Sequence, residues 1–174
     1  MAVPVSAAGT EVLQSAQRRL LSALSNGGVD YVLIGGVAGR LHGASRATDD
    51  LDIAPDASGG NLGRLVAALH GLDAVLVTGA GPDPSVPLDE ELLFSRQVLS
   101  LLTREGRIDL VWEPPGAAGY ALLAAEGVPM NLDADGVTVE VTVASVAALI
   151  AMKSATGRAK DREVIAELRA EAAS

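Results

Sequence analysis

Apolar positions along this chain switch repeatedly between two periods. From Thr10, the residues Val12, Leu13, Ala16, Leu20, Leu21 and Leu24 recur on one helical face. Thr10 suits an N-cap and Asn26-Gly27-Gly28 a stop. Arg18 and Arg19 fall on the wet side of that helix. Tyr31-Val32-Leu33-Ile34 is an unbroken apolar run, read as a strand, and it ends at Gly35-Gly36. A short helix is predicted over 37–41, then a polar loop with Arg46 and Thr48, then a second strand through Asp49-Asp50-Leu51-Asp52-Ile53. Residues 56–60 read as a loop, 61–72 as a helix through Leu62, Leu65, Val66 and Leu69, and 74–77 as a short strand. The Gly- and Pro-rich segment 79–87 reads as a loop.

Two hairpins follow. The first joins 98–102 to 107–112 through Thr103-Arg104-Glu105-Gly106; Ile108, Leu110 and Trp112 share one face and Arg107, Asp109 and Val111 the other. The second joins 130–132 to 137–142, with Asp135-Gly136 as its turn pair and Asp133 as a turn residue. A short helix over 120–125 separates them. Ser145 suits the N-cap of a helix over 146–154, Thr156-Gly157 interrupts it, and 160–171 forms a last helix. Residues 1–8, with Pro4 among small residues, read as a fraying end.

Composition narrows the picture. The 174 residues suit one domain (1–174), with 145–172 as a C-terminal helical hairpin within it. Hydrophobic residues make up 49%, yet Tyr31, Phe94, Trp112 and Tyr120 are the only aromatics, so the core must be aliphatic. That scarcity argues against a base-stacking platform. A formal charge of −9 disfavours general nucleic-acid binding, which needs clustered cations, and leaves room only for a local basic patch. There is no cysteine, hence no disulfide or thiolate site. No basic leader precedes an apolar run, and no apolar run approaches ~20 residues, so neither a signal peptide nor a membrane span is expected. A cytoplasmic placement is compatible with these features.

The chemistry concentrates in residues 31–55. Alternation along a strand puts Asp50 and Asp52 on one face and Asp49 on the other. Paired carboxylates repel unless a cation sits between them, and oxygen ligands of this kind suit Mg²⁺ held together with substrate phosphates. A diglycine opening a helix lets backbone N–H groups approach an anion. Each piece also has an ordinary reading: a tight turn for Gly35-Gly36, a charged strand edge for Asp50 and Asp52, a turn hydroxyl for Thr48, a surface cation for Arg46. His42 reads as a packed helix residue and His70 as a helix C-terminal cation. The combination is specific because it falls in this order within 18 residues, Gly35 to Asp52. Asp109 amid Ile, Leu and Val is either a solvated outer face or a third carboxylate facing the other two.

The run GGVAGRLHGASRATDDLD resembles the signature of the nucleotidyltransferase superfamily with the DNA-polymerase-β-like palm, and most of all the AbiEii-type and MenT-like enzymes, which include toxins of toxin–antitoxin pairs. The resemblance implies an α+β fold: a mixed sheet, flanking helices and the C-terminal helical hairpin. It implies Mg²⁺-dependent transfer of a nucleotidyl group from an NTP such as ATP, with a two-metal site on Asp50, Asp52 and Asp109. Gly35 and Gly36 match the family's turn; where some members carry Ser, Gly36 lacks the hydroxyl. RIDLV resembles the strand that bears the third carboxylate, and LIAMKSATGRAKDREVIAEL the C-terminal motif. That assigns Gly35, Gly36, Arg46, Thr48, Lys153, Arg158 and Asp161 to nucleotide and phosphate, with Lys160 beside them. The acceptor implied is RNA (a tRNA end included) or a protein hydroxyl, with a cognate antitoxin as partner. A small-molecule acceptor of the aminoglycoside kind, and a non-catalytic binding module, are the rival readings.

Overall fold

The computed structural model describes residues 3–4 and 11–173. Its strands are β1 (Val3–Pro4), β2 (Tyr31–Ile34), β3 (Leu51–Pro55), β4 (Val75–Thr78), β5 (Gly81–Asp83), β6 (Val98–Thr103), β7 (Gly106–Val111), β8 (Val128–Ala134) and β9 (Val137–Val143). They join in one sheet of order β1-β8-β9-β2-β3-β7-β6-β4-β5. The sheet is mixed: β1/β8, β9/β2 and β3/β7 are parallel and the other neighbours antiparallel. The helices are α1 (Ser15–Asn26), α2 (Gly35–Leu41), α3 (Gly59–Gly71), α4 (Glu90–Phe94), α5 (Gly119–Glu126), α6 (Val146–Thr156) and α7 (Asp161–Ala172). The α+β class and mixed sheet expected from the sequence are what the chain forms.

The core is aliphatic. Leu20, Leu21 and Leu24 of α1 are fully buried, and α1 packs on β7, β8, β9 and α3. Each such leucine contributes roughly 1.5–3 kcal/mol by leaving water. In β6 and β7 the alternation is clean: Leu99, Leu101, Ile108 and Leu110 face the core, while Val98 and Leu102 are exposed on the other face. Asn61 is a buried polar hub at the start of α3. It accepts from the Asp30 N–H and donates to the carbonyls of Asp30 and Asp56, so three backbone groups are satisfied at once.

Several boundaries differ from the sequence reading. Helix α1 begins at Ser15 because Gln14 caps it, its N–H donating to the Gln17 side chain; the Thr10 cap lies outside the described residues. Of the expected fraying end, Val3–Pro4 instead pairs with Met130–Asn131, and the rest lies outside the described residues. The segment 79–87 contains β5, which folds back on β4 through Gly81 at φ 110, so a short hairpin edge replaces part of a loop. Helix α4 had no periodic signal at five residues and is defined by Asp89, whose carboxylate accepts from the Leu92 N–H. The first hairpin turns on Arg104-Glu105 alone, with Gly106 at φ 138. Trp112 lies past the end of β7, where its indole N–H donates to the Leu93 carbonyl and its ring lies against Phe94. The second hairpin pairs from Val128↔Val143 to Ala134↔Val137 and turns on Asp135-Gly136, both at positive φ, with Asp133 accepting from the Gly136 N–H. Ser145 caps α6 as expected, its hydroxyl accepting from the Ala148 N–H.

Candidate active site

The central strands bring the chemistry together. Strand β2 runs antiparallel to β3 with Ile34 opposite Asp52, so Gly35 emerges beside that carboxylate. On the other side of β3, Asp52 pairs in parallel register with Asp109 of β7. Directly opposed residues point to the same face from backbones about 4.8 Å apart, so the two carboxylates stand side by side. Asp50 precedes β3 by one residue and stays half-buried. Asp49 is exposed and turned to α1, where Gln14 donates to it, in keeping with the alternation.

The diglycine does more than turn. Gly35 and Gly36 form the first turn of α2 rather than preceding it. Gly35 sits at φ 68, and a Cβ there would lie 2.1 Å from Asp52 Oδ2. At Gly36 a Cβ would lie 2.8 Å from the Thr48 Cβ. Neither position admits a side chain without moving a neighbour; at Gly35 the neighbour is a candidate reactive group.

Electrostatics mark the pair. Burial, then the Asp109 charge, pushes the Asp52 carboxyl up to about 6; the Gly36 backbone amide and Lys153 pull it back, and Asp50 adds to the rise. Burial and Asp50 also raise Asp109, against the Ser100 hydroxyl and Arg107. Asp109 Oδ1 is buried with no hydrogen-bond partner. An orphaned buried carboxylate oxygen beside a second carboxylate is a site short of positive charge, and in that respect the residues fit a hard cation. Among the described residues, however, no group of three or more acidic or histidine side chains is gathered tightly enough to hold a metal ion. The expected three-carboxylate grip is thus not preformed.

The facing wall comes from the C-terminal pair of helices. Gly157, left-handed at φ 62, ends α6 and lets the chain reverse into α7. Lys153 and Asp161 thereby converge, Nζ to Oδ1 at 3.4 Å. Asp161 is 3% exposed and also receives Arg158 Nε at 3.0 Å and the Thr156 hydroxyl at 3.1 Å. Burial raises its carboxyl, but Arg158, Lys153 and Thr156 together outweigh that and hold it below the usual range. Lys153 is therefore anchored, and its charge still reaches Asp52.

One cavity of about 550 Å³ is lined by Gly35, Gly36, Arg46, Thr48, Asp50, Asp52, Asp109, Lys153, Arg158 and Asp161, with Lys160 at the same wall. The residues that the resemblance assigns to metal, nucleotide and phosphate all line it. Its apolar lining, including Val98, Val111, Pro114 and Pro115, carried no sequence signal beyond strand pattern and turn. His42 packs away from it, its ring bonded to the Ala144 carbonyl, and His70 is exposed in the last turn of α3. Arg19 ion-pairs with Glu105. None of the described helices is long and apolar enough to cross a membrane.

No family model and no curated protein matches the chain. Solved structures do. The chain is similar to the solution structure of the antibiotic-resistance factor ANT(2'')-Ia at TM-score 0.52 and 18% identity, covering 95% of this chain and 84% of that one. It is similar to the crystal structure of ANT(2'')-Ia in complex with adenylyl-2''-tobramycin at TM-score 0.53 and 14% identity, covering 94% and 90%. The chain shares its overall fold with these two structures.

Proposed function

We propose that this chain is a nucleotidyltransferase of the EC 2.7.7 type: a hydroxyl attacks the α-phosphorus of an NTP and pyrophosphate leaves. The observation that carries this reading is the in-register pair Asp52 and Asp109 beside Gly35-Gly36, faced across one cavity by Lys153 and Arg158. Asp50, Asp52 and Asp109 would hold Mg²⁺. Magnesium suits a site with few protein ligands, since it commonly combines one or two carboxylates with substrate phosphates, and one or two such ions would neutralise charge on the attacking and leaving oxygens. Asp109, nearest to Asp52 in register, orients the acceptor hydroxyl and takes its proton. Lys153 and Arg158, steadied by Asp161, and Arg46 neutralise the triphosphate. Gly35 and Gly36, backed by Thr48, let the phosphates approach the backbone closely.

The charge inventory favours one class of acceptor. Asp50, Asp52, Asp109 and Asp161 are the carboxylates lining the cavity; three are taken by magnesium in this reading and the fourth by Lys153 and Arg158. None is left for a polycation. Arg46 and Lys160 are exposed at the cavity. A phosphate-bearing acceptor, RNA in an AbiEii- or MenT-like toxin role, fits that rim, with protein hydroxyls as a related possibility and a cognate antitoxin as partner. The small-molecule reading has its own support: ANT(2'')-Ia has been seen with adenylyl-2''-tobramycin, and this chain matches 90% of it in fold.

Incubation with each α-labelled NTP, Mg²⁺ and, separately, bulk RNA, lysate protein or aminoglycosides shows where label goes. Label in RNA is expected; label in an aminoglycoside selects the second reading. Asp52→Ala should abolish transfer with the fold intact, and an unaffected rate would refute the assignment.

A further inference from the structure

We infer that Glu167 of α7 is a positioning residue for Arg46, acting through Ser45. This rests on the nucleotide-binding reading of the cavity and adds a residue outside it.

The segment from His42 to Asp50 has no regular structure, yet it is strapped at both ends. At its far end Gln17 Nε2 donates to the Thr48 carbonyl at 2.9 Å, and Gln14 Nε2 donates to the same carbonyl at 3.3 Å and to Asp49 at 3.0 Å. At its near end the Ala44 N–H returns to the Gly39 carbonyl at 2.9 Å, and Ala44 is 6% exposed. Gly43, at φ 96, lies so close to α7 that a Cβ would meet Glu171 Cγ at 2.9 Å. Glu167, one turn earlier on α7, then takes Ser45 with both oxygens: Oε2 from the backbone N–H at 2.9 Å and Oε1 from the hydroxyl at 2.6 Å. Only Arg46 and Ala47 remain between the straps. Both are exposed, both line the cavity, and Arg46 makes no side-chain hydrogen bond or ion pair among the described residues.

The two-oxygen grip fixes the backbone of Ser45 as well as its side chain, and so fixes where the Arg46 Cα starts. Without it, ordering that backbone would be charged against nucleotide binding. The same helix carries Asp161 at its first position, so α7 sets both cation-bearing walls of the cavity.

The test is a double-mutant cycle on NTP binding and turnover with Mg²⁺, with unfolding midpoints alongside. Glu167→Ala should raise the KM and Kd for NTP about tenfold with kcat nearly kept. Ser45→Ala, which keeps the backbone bond, should give a smaller rise and stands in if Glu167→Ala does not fold. In an Arg46→Ala background Glu167→Ala should cost nothing further. Equal losses in both backgrounds would show Glu167 acting elsewhere and overturn the inference, as would an Arg46→Ala effect with no Glu167→Ala or Ser45→Ala effect. If Arg46→Ala itself leaves NTP binding unchanged, the phosphate role of Arg46 falls and this inference with it. A wild-type chain that binds no NTP refutes the nucleotidyltransferase reading instead.

Discussion

Asp52→Asn should stabilise the protein in a chelator and, on the proposed reading, abolish nucleotidyl transfer. In the folded chain burial, and then the Asp109 charge, push the Asp52 carboxyl up to about 6, against 3.8 for an ordinary aspartate. A raised carboxyl value means that the folded state keeps its proton to higher pH than the unfolded chain. Folding is therefore favoured at low pH, and that advantage is lost as pH rises from about 4 through about 6. At about 1.4 kcal/mol per pH unit the interval is worth about 3 kcal/mol, an upper figure because a wet cleft relaxes. Asn keeps the shape without the charge. At pH 8 in a chelator its unfolding midpoint should exceed the wild type by up to about 6–12 °C, using roughly 2–4 °C per kcal/mol for a chain of this size. At pH 4 the two should nearly coincide. Differential scanning calorimetry at both pH values decides it. An Asn variant no more stable than wild type at pH 8, or a gap that ignores pH, would refute the argument that burial beside Asp109 makes the Asp52 charge costly.

Other substitutions separate local geometry from the site. Gly35→Ala combines a left-handed backbone with a Cβ inside Asp52, so transfer should fall by at least about a hundredfold, read by labelled-NTP assay, and stability by about 1–2 kcal/mol. Gly157→Ala meets nothing within 4 Å, so only the backbone penalty of about 1 kcal/mol is expected by denaturant melt. Asn61→Ala removes the partner of the Asp30 N–H and of the Asp56 carbonyl, while the Asp30 carbonyl keeps the Asp56 N–H, and should cost about 1–3 kcal/mol in urea unfolding.

Much of this was legible because it is written in local periods. The apolar run at 31–34, the Asp50–Asp52 alternation and the Gly157 break each follow from side-chain direction or backbone freedom within a few residues. The convergence of Lys153 and Asp161 followed from that break. The partner of Asp109 was legible as a possibility only, since parallel pairing of strands so far apart leaves no trace in either. Helix α4 and strand β5 are too short to show a period. The roles of Gln14, Gln17 and Glu167 depend on loops meeting helices, and polar residues on exposed helix faces look alike whether or not something is tied to them. Gly35 was read as a cradle for a ligand; that it also makes room for Asp52 needed coordinates.

The in-register meeting of Asp52 and Asp109 has a kinetic consequence. Between them in sequence lie β4, β5 and β6, which occupy the far side of β7 in the sheet. Parallel closure across so many residues is intrinsically slow, and here it also brings two carboxylates together. A chain in which β7 has yet to pair with β3 therefore holds each carboxylate without its neighbour, and on the proposed reading it transfers no nucleotidyl group.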